Sequence, residues 1–408
     1  MDAGLLTLCF AVLLVIGVLI SELANRTVLS TAVLFLLGGF LLGPGVLGVL
    51  HVEAGDQGVS VLAELALFSV LYSDGMKVGV SDLRRAWRLP GRALLFGLPI
   101  TLLLTAVAAH YIVGLDWLPS LLLGAVLSPT DPVFAAAIVG REEVPGRLRH
   151  LLNVESGLND GLALPIVLVL LAASGGADAG GWGLAWELGL GVAIGVVVPL
   201  LVLSLERLPF LAATKGLQPL LPAAIGLLVL GLCLTTNGNL FLAAFAAGIT
   251  VASFAPEFRH EFEQLGELVA EQLKLLAILV FGALITPAFL FQETPWTGWV
   301  FAVVALVLVR PLALLLSLAG SGLAMREQAA AMWFGPKGFA SVVYGLLVLD
   351  SPLEDANVLF HLIALTIAVS IIAHSSTDVL VARQFRGEPG AALDDHAGPG
   401  QLPRRSGR

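Results

Sequence analysis

Charge and cysteine are scarce in this chain. Only 12% of its 408 residues are charged, 58% are hydrophobic, and the two cysteines are Cys9 and Cys233. A soluble core of this length needs far more polar surface to cover it, so composition excludes an ordinary soluble domain. Both cysteines fall within apolar stretches, which excludes a disulfide framework and a cysteine metal site. The chain is therefore expected to be a membrane protein.

Long apolar stretches, by contrast, are abundant. Apolar stretches of roughly 15 to 22 residues have the length needed to cross a hydrocarbon core of about 30 Å. By this measure we predict thirteen transmembrane spans. They lie near residues 4–20, 28–50, 59–80, 93–113, 118–139, 151–172, 184–204, 217–235, 240–254, 268–290, 299–319, 328–349 and 359–380.

The charges between these spans predict the orientation. Lys and Arg accumulate in alternate loops, whereas the intervening loops have none and contain acidic residues instead. Because basic loops stay in the cytoplasm, the N-terminus is predicted outside and the C-terminus inside. Residues 1–385 are expected to form one transmembrane domain, and residues 386–408 a disordered cytoplasmic tail. The basic residues of the alternate loops are Arg26, Lys77, Arg84, Arg85, Arg88, Arg92, Arg141, Arg147, Arg149, Arg207, Lys215, Arg259 and Arg326.

Two spans carry a visible interruption, the fifth at residues 128–132 (SPTDP) and the twelfth at residues 335–338 (GPKG). They stand seven spans apart, and an odd offset gives two six-span units opposite orientations. We therefore predict an all-α polytopic fold with two inverted six-helix repeats, the seventh span as linker, and the broken helices 5 and 12 crossing.

Proline and charge define each interruption. Pro132 removes a backbone hydrogen bond, and Asp131 before it stands where the N-cap of a second half-helix belongs. In the twelfth span, Pro336 lies between two glycines and is followed by Lys337. A proline kink alone would not need a charge, so a binding site is the preferred interpretation of both breaks.

Four charged residues fall at a similar predicted depth. At 1.5 Å per residue, Asp74, Asp131, Asp160 and Lys337 lie roughly 10 to 14 Å from the cytoplasmic ends of their spans. Ionisable groups inside a bilayer mark ion or proton pathways. We therefore expect these four side chains to form one site.

The sixth span supplies the richest cluster, in residues 155–160 (ESGLND). Helical spacing places Glu155 under Asn159 and Ser156 under Asp160. An alkali cation needs a shell of oxygen ligands, which Asp160, Ser156 and the Thr130 hydroxyl are predicted to supply. Asn159 is neutral, and therefore orients its neighbours without titrating.

These residues resemble the monovalent cation:proton antiporter-1 family of sodium/proton exchangers. The resemblance extends from residues 36–44 (LLGGFLLGP) through both interruptions, and residues 155–160 are its most specific part. It implies that Asp160 binds cation and proton alternately and that Thr130 and Ser156 are ligands. Glu155 and Asn159 would support them, and Glu155 is a further candidate ligand.

The resemblance also implies a homodimer in a plasma (inner) membrane. A core bundle of helices 4–6 and 11–13 would move against a dimerisation part formed by helices 1–3 and 8–10. This chain has Lys337 where the family usually has arginine, and Asp74 where glutamate is common. The two are expected to pair, and lysine, unlike arginine, is able to lose a proton when buried.

The predicted function is secondary active exchange of a monovalent alkali cation, Na⁺ first and K⁺ or Li⁺ as alternatives, for H⁺. With one titrating acid beside a neutral asparagine, exchange is expected to be electroneutral, 1:1. No enzymatic activity and no cofactor are expected. A cation channel, or an intramembrane aspartyl protease using Asp74 and Asp160, are the alternatives. Further polar residues within the spans are interpreted as packing or interfacial positions; these are His110, His361, His374, Glu64, Lys274 and Arg310.

Overall fold

A computed structural model describes residues 2–21, 30–53, 55–79, 88–131, 144–174, 181–208, 210–211, 213–214 and 216–385. The described residues are helical, with turns and short loops between the helices. Their helices are α1 (Ala3–Leu19), α2 (Thr31–Leu42), α3 (Gln57–Lys77), α4 (Leu89–Val113), α5 (Trp117–Leu127), α6 (Gly146–Ser174), α7 (Gly181–Glu206), α8 (Leu220–Thr236), α9 (Leu240–Phe254), α10 (Glu257–Leu284), α11 (Trp296–Ser317), α12 (Met325–Trp333), α13 (Phe339–Leu349) and α14 (Ala356–Ala382).

Many of these helices have the length or the apolar composition of membrane-spanning helices. Within the described part of the chain, six helices are long and apolar enough to cross one, and six shorter helices are also apolar. The chain is accordingly a multi-pass membrane protein. The predicted tail, residues 386–408, lies outside the described residues. The count of thirteen crossings and the inverted repeat stay predictions.

Polar residues define the starts of several helices. The side chain of Asp2 accepts hydrogen bonds from Gly4 N and Leu5 N at the start of α1. Ser30 does the same for Val33 N at the start of α2, and Asn239 for Leu242 N at the start of α9. Such caps satisfy amide groups that have no partner inside the helix, which is why these apolar helices begin at these residues.

Glycines allow two helix pairs to approach closely. Helix α2 crosses α10 at Gly39 and Gly282, and α3 crosses α9 at Gly75 and Gly248. A Cβ at Gly75 would lie 2.6 Å from the carbonyl oxygen of Phe245, so the backbones are in contact there. Small residues at such crossings are typical of packing between membrane helices. These crossings fix α3 and α10, which carry five charged residues of the site described below.

The interruption of the twelfth span is confirmed. Helix α12 ends at Trp333, α13 begins at Phe339, and the five residues between them are non-helical. In the fifth span α5 ends at Leu127, and residues 129–131 are non-helical. The Ser128 hydroxyl donates to the Ala125 carbonyl at 2.9 Å, a carbonyl that Pro129 leaves without its helical partner. The second half of this span, from Pro132 on, lies outside the described residues.

Candidate functional site: a buried acidic cavity at two crossing helix breaks

The two non-helical segments contact each other directly. The backbone N–H of Asp131 donates to the carbonyl oxygen of Pro336 at 3.0 Å. The hydroxyl of Ser341, on α13, donates to the carbonyl of Val126 at 2.7 Å. Each break thus supplies polar partners for the other, which buried backbone groups require in a membrane. The two interruptions therefore meet within the described residues, and the crossing of the complete helices 5 and 12 stays a prediction.

The carboxylate of Asp131 faces the start of α13. The Phe339 N–H donates to Asp131 Oδ2 at 3.4 Å, so Asp131 lies at the positive end of the second half of the twelfth span. Gly338 has no side chain here because a Cβ would overlap the Cβ of Asp131. The predicted N-cap role of Asp131 in its own span involves residues beyond 131, which are not described.

Helix α6 places its polar residues against the fifth-span break. The Asn159 side-chain amide donates to the Thr130 hydroxyl at 2.8 Å and to the Thr130 carbonyl at 3.2 Å. The Ser156 hydroxyl also donates to that carbonyl. Thr130, Ser156, Asn159 and Asp160 are all buried. The predicted ligands Thr130 and Ser156 are therefore neighbours.

Two oxygens of this cluster have no hydrogen-bond partner among the described residues. They are Asn159 Oδ1 and Asp160 Oδ1, and both are buried. Buried polar atoms are nearly always hydrogen-bonded, so an unsatisfied pair of oxygens at one turn of one helix indicates a place for a cation or a proton. The backbone carbonyl of Asp160 is satisfied, since Tyr344 Oη on α13 donates to it at 2.8 Å.

A cavity of about 320 Å³ lies beside this cluster. Asp74, Asp131, Ser156, Asp160 and Lys274 line it, together with Val70, Ser73, Lys77, Glu267, Leu268, Ala270 and Glu271. The side chains of Lys77 and Glu267 are 48% and 41% exposed, whereas those of Asp131 and Lys274 are only 6% and 5% exposed. The cavity therefore runs from a half-exposed mouth to a buried acidic end.

The predicted pair between Asp74 and Lys337 is wrong. Asp74 Oδ1 lies 3.3 Å from Lys77 Nζ, one helical turn away on α3. Lys337 is 1% exposed, its Nζ has no hydrogen-bond partner within the described ranges, and it does not line the cavity. Its backbone N–H instead donates to Ser370 Oγ on α14 at 2.8 Å. Three of the four charges expected at one depth share the cavity, and Lys337 is the exception.

Glu155 forms its ion pair with Arg310 on a distant helix, and not with a neighbour on α6. Arg310 on α11 donates to Glu155 Oε1 at 3.0 Å and to Oε2 at 3.4 Å, and both side chains are buried. Arg310 also donates to the Phe334 carbonyl in the twelfth-span break at 2.9 Å. Glu155 is not part of the cavity wall, so its supporting role has a structural basis, while its role as a cation ligand stays a prediction.

Two charged residues that were interpreted as packing positions form buried ion pairs, Lys274 in the cavity wall and Arg310 beside it. Arg310 holds Glu155, and Lys274 Nζ on α10 lies 2.5 Å from Asp131 Oδ2 inside the cavity. The signal was present in the sequence, because each is an isolated basic residue within an apolar stretch, as Asp160 is an isolated acid. His374, another such position, places a ring nitrogen 3.0 Å from the carbonyl of Trp333 beside the break.

Two helix breaks that meet beside a buried carboxylate are typical of secondary transporters. The family described as "Sodium/hydrogen exchanger, transmembrane" matches residues 10–383, and the chain belongs to that family. It is a family of transporters, not enzymes. The expected family resemblance is confirmed.

Two relatives with sequence identities of 25–27% support the same family. The K(+)/H(+) antiporter NhaP2 of Shewanella sp. (strain MR-4) is 27% identical over 386 residues, which cover 91% of this chain and 66% of that protein. The K(+)/H(+) antiporter NhaP of Alkalimonas amylolytica is 25% identical over 405 residues, covering 98% of this chain and 69% of that protein. The chain thus spans about two thirds of the length of these relatives.

A solved structure shares the fold. The sodium proton antiporter MjNhaP1 from Methanocaldococcus jannaschii, at pH 8, superposes with a TM-score of 0.75 over 95% of this chain and 100% of that one. The two sequences are 20% identical, so the match concerns the fold.

Proposed function

We propose that the protein exchanges a monovalent alkali cation for H⁺ across the membrane, with both ions competing for Asp160. The observation that carries this proposal is the buried Asp160 carboxylate, which has an unpartnered oxygen next to Ser156, Thr130 and Asn159 and lines a cavity with a half-exposed mouth. Oxygen ligands of this kind suit alkali cations.

Competition follows from burial. A carboxylate out of water is costly when it is charged and alone, and either a proton or a bound cation removes that cost. The same oxygens cannot hold both, so each loaded state carries one ion. Asn159 is neutral, Asp131 is paired with Lys274 and Asp74 with Lys77. Asp160 is therefore the buried acid of the cavity that we assign to the exchange. Exchange is then one cation per proton, with no net charge moved.

Movement is proposed to follow the alternating-access scheme. The core bundle, formed by predicted spans 4–6 and 11–13, would move against the dimerisation part of a homodimer, formed by predicted spans 1–3 and 8–10. An inverted repeat would relate the two halves. The helix crossings support the repeat. With an offset of seven spans, α2 corresponds to α9 and α3 corresponds to α10. The α2–α10 pair therefore corresponds to the α9–α3 pair, and both pairs cross at glycines.

The cavity suggests which side is open. Its mouth residue Lys77 belongs to the basic loop side that is predicted to be cytoplasmic, in a plasma membrane with the N-terminus outside. We therefore propose that this conformation faces the cytoplasm.

Na⁺ is the cation proposed first, and K⁺ is the second candidate because the relatives above are named K⁺/H⁺ antiporters. Reconstituted vesicles with a trapped pH indicator would test the proposal, with Na⁺, K⁺ or Li⁺ added in turn and the membrane potential clamped or free. Cation-dependent proton flux that is unchanged by the potential is expected. Current without proton flux would instead favour a channel, and cleavage of a membrane peptide would favour a protease.

A further inference from the structure

A buried ammonium group forms part of the cavity wall. Lys274 Nζ lies 2.5 Å from Asp131 Oδ2, and the two side chains are 5% and 6% exposed. Lys274 stands on α10 and Asp131 in the fifth-span break, so the pair joins two separate elements across the cavity. The Coulombic attraction within such a desolvated pair is stronger than in a surface salt bridge, the desolvation cost offsets much of it, and removal of one partner leaves a costly uncompensated charge.

The partly buried Glu271 also lines the cavity, and the other charged residues of the cavity form two groups. At the mouth, Lys77 Nζ lies 3.3 Å from Asp74 Oδ1 and 3.4 Å from Glu267 Oε1. At the buried end, Lys274 neutralises Asp131, and Asp160 keeps an oxygen with no partner among the described residues. An entering cation therefore meets two carboxylates at the buried end, one of which already holds a positive charge.

We propose that Lys274 is a specificity-determining residue, a resident cation that occupies Asp131 and limits the buried end to a single exchangeable positive charge. The inference rests on the proposed cation exchange. Without the ammonium, Asp131 and Asp160 would both be available in one cavity. Paired carboxylates favour divalent cations such as Ca²⁺, which takes several oxygen ligands. Lys274 thereby selects for monovalent substrates.

Opposite effects of two single substitutions would test this proposal. Binding is measured at alkaline pH, where protons compete least, as the cation-dependent rise in melting temperature of the detergent-solubilised protein. Lys274→Met should tighten Na⁺ binding about tenfold and introduce binding of Ca²⁺, because one positive charge has left the cavity. Asp131→Asn should weaken Na⁺ binding about tenfold, because Lys274 is then uncompensated. The double variant should return toward the affinity of the unmodified protein.

A purely structural pair behaves differently. Both single substitutions would then weaken Na⁺ binding, neither would admit Ca²⁺, and the proposal would be overturned. Arg326→Met is the matched control, since Arg326 is an exposed cation at the start of α12 that does not line the cavity. If Lys274→Met does not fold, Asp131→Asn and the double variant decide the question. Equal Na⁺ affinities in these two proteins would refute the proposal.

Failure of the underlying function is recognised separately. Asp160→Asn should lose Na⁺-dependent stabilisation. If that variant still binds Na⁺ at the original affinity, the proposed exchange site is wrong. If it loses binding while Lys274→Met and Asp131→Asn change affinity in the same direction, only the role of Lys274 is wrong.

Discussion

Arg310 Nη1 lies 3.0 Å from Glu155 Oε1, and the two side chains are only 4% and 6% exposed. This pair ties α11 to α6, five residues before Asp160. A third contact, from Arg310 Nη2 to the Phe334 carbonyl, links both helices to the twelfth-span break. The pair is thus a connection between three elements that position the exchange site.

Removing one partner of this pair should be costly. We expect Glu155→Gln or Arg310→Met to lower the free energy of unfolding by about 3–5 kcal/mol, because the remaining buried charge is uncompensated. Melting in detergent measures the change. Glu155→Gln combined with Arg310→Met should recover much of the loss. A double variant as unstable as the sum of the two single variants would contradict the pairing.

Lys337 should behave in the opposite way. Its Nζ has no hydrogen-bond partner within the described part of the chain, although the side chain is 1% exposed. We expect Lys337→Met to leave the melting temperature unchanged or to raise the stability by about 1 kcal/mol, because a desolvated polar group is removed. Loss of several kcal/mol would show that Lys337 has an ion partner. Glu155→Gln, measured in parallel, provides the comparison with a paired charge.

The hydroxyl of Thr130 should contribute to cation affinity. It accepts from the Asn159 amide at 2.8 Å and lies beside Ser156. Thr130→Val keeps the shape of the side chain and removes that oxygen. The KM for the cation should then rise about tenfold, which corresponds to the loss of one polar contact of about 1.4 kcal/mol. Thr105→Val is the matched control, since the Thr105 hydroxyl donates to the Thr101 carbonyl within α4 at 2.7 Å and Thr105 does not line the described cavity. Equal KM values in the two variants would remove Thr130 from the site.

Gly338 should tolerate no side chain. An added Cβ would overlap Asp131, whose backbone and carboxylate join the two breaks. Gly338→Ala is therefore expected to abolish exchange and to lower the melting temperature. At Gly231 in α8 a Cβ would meet nothing within 4 Å, so Gly231→Ala should keep full exchange. Wild-type flux in the Gly338 variant would show that the two breaks are not held as described.

The elements of the fold could be predicted from the sequence because their causes are local. The length of an apolar stretch predicts a membrane helix. The proline and glycines in positions 335–338 predict a break in the helix that does not depend on its neighbours. The residues around Asp160 could also be predicted, since helical spacing alone places Ser156 and Asp160 on one stripe.

The partners of the charged residues could not be predicted in this way. Which acid faces which base depends on the rotation and approach of helices far apart in sequence, as for Lys274 with Asp131 and Arg310 with Glu155. The predicted pair of Asp74 with Lys337 came from the family resemblance, and it failed for a local reason. Lys77 stands one helical turn from Asp74 on the same helix.

The central claim is that cation and proton compete for Asp160, and proton flux in vesicles containing Asp160→Asn tests it most directly. The asparagine has nearly the same shape but holds no exchangeable proton. The account predicts that Na⁺-dependent and K⁺-dependent proton fluxes fall to the level of empty vesicles, while the variant melts within a few degrees of the unmodified protein. Undiminished cation-dependent proton flux in the folded variant would contradict it.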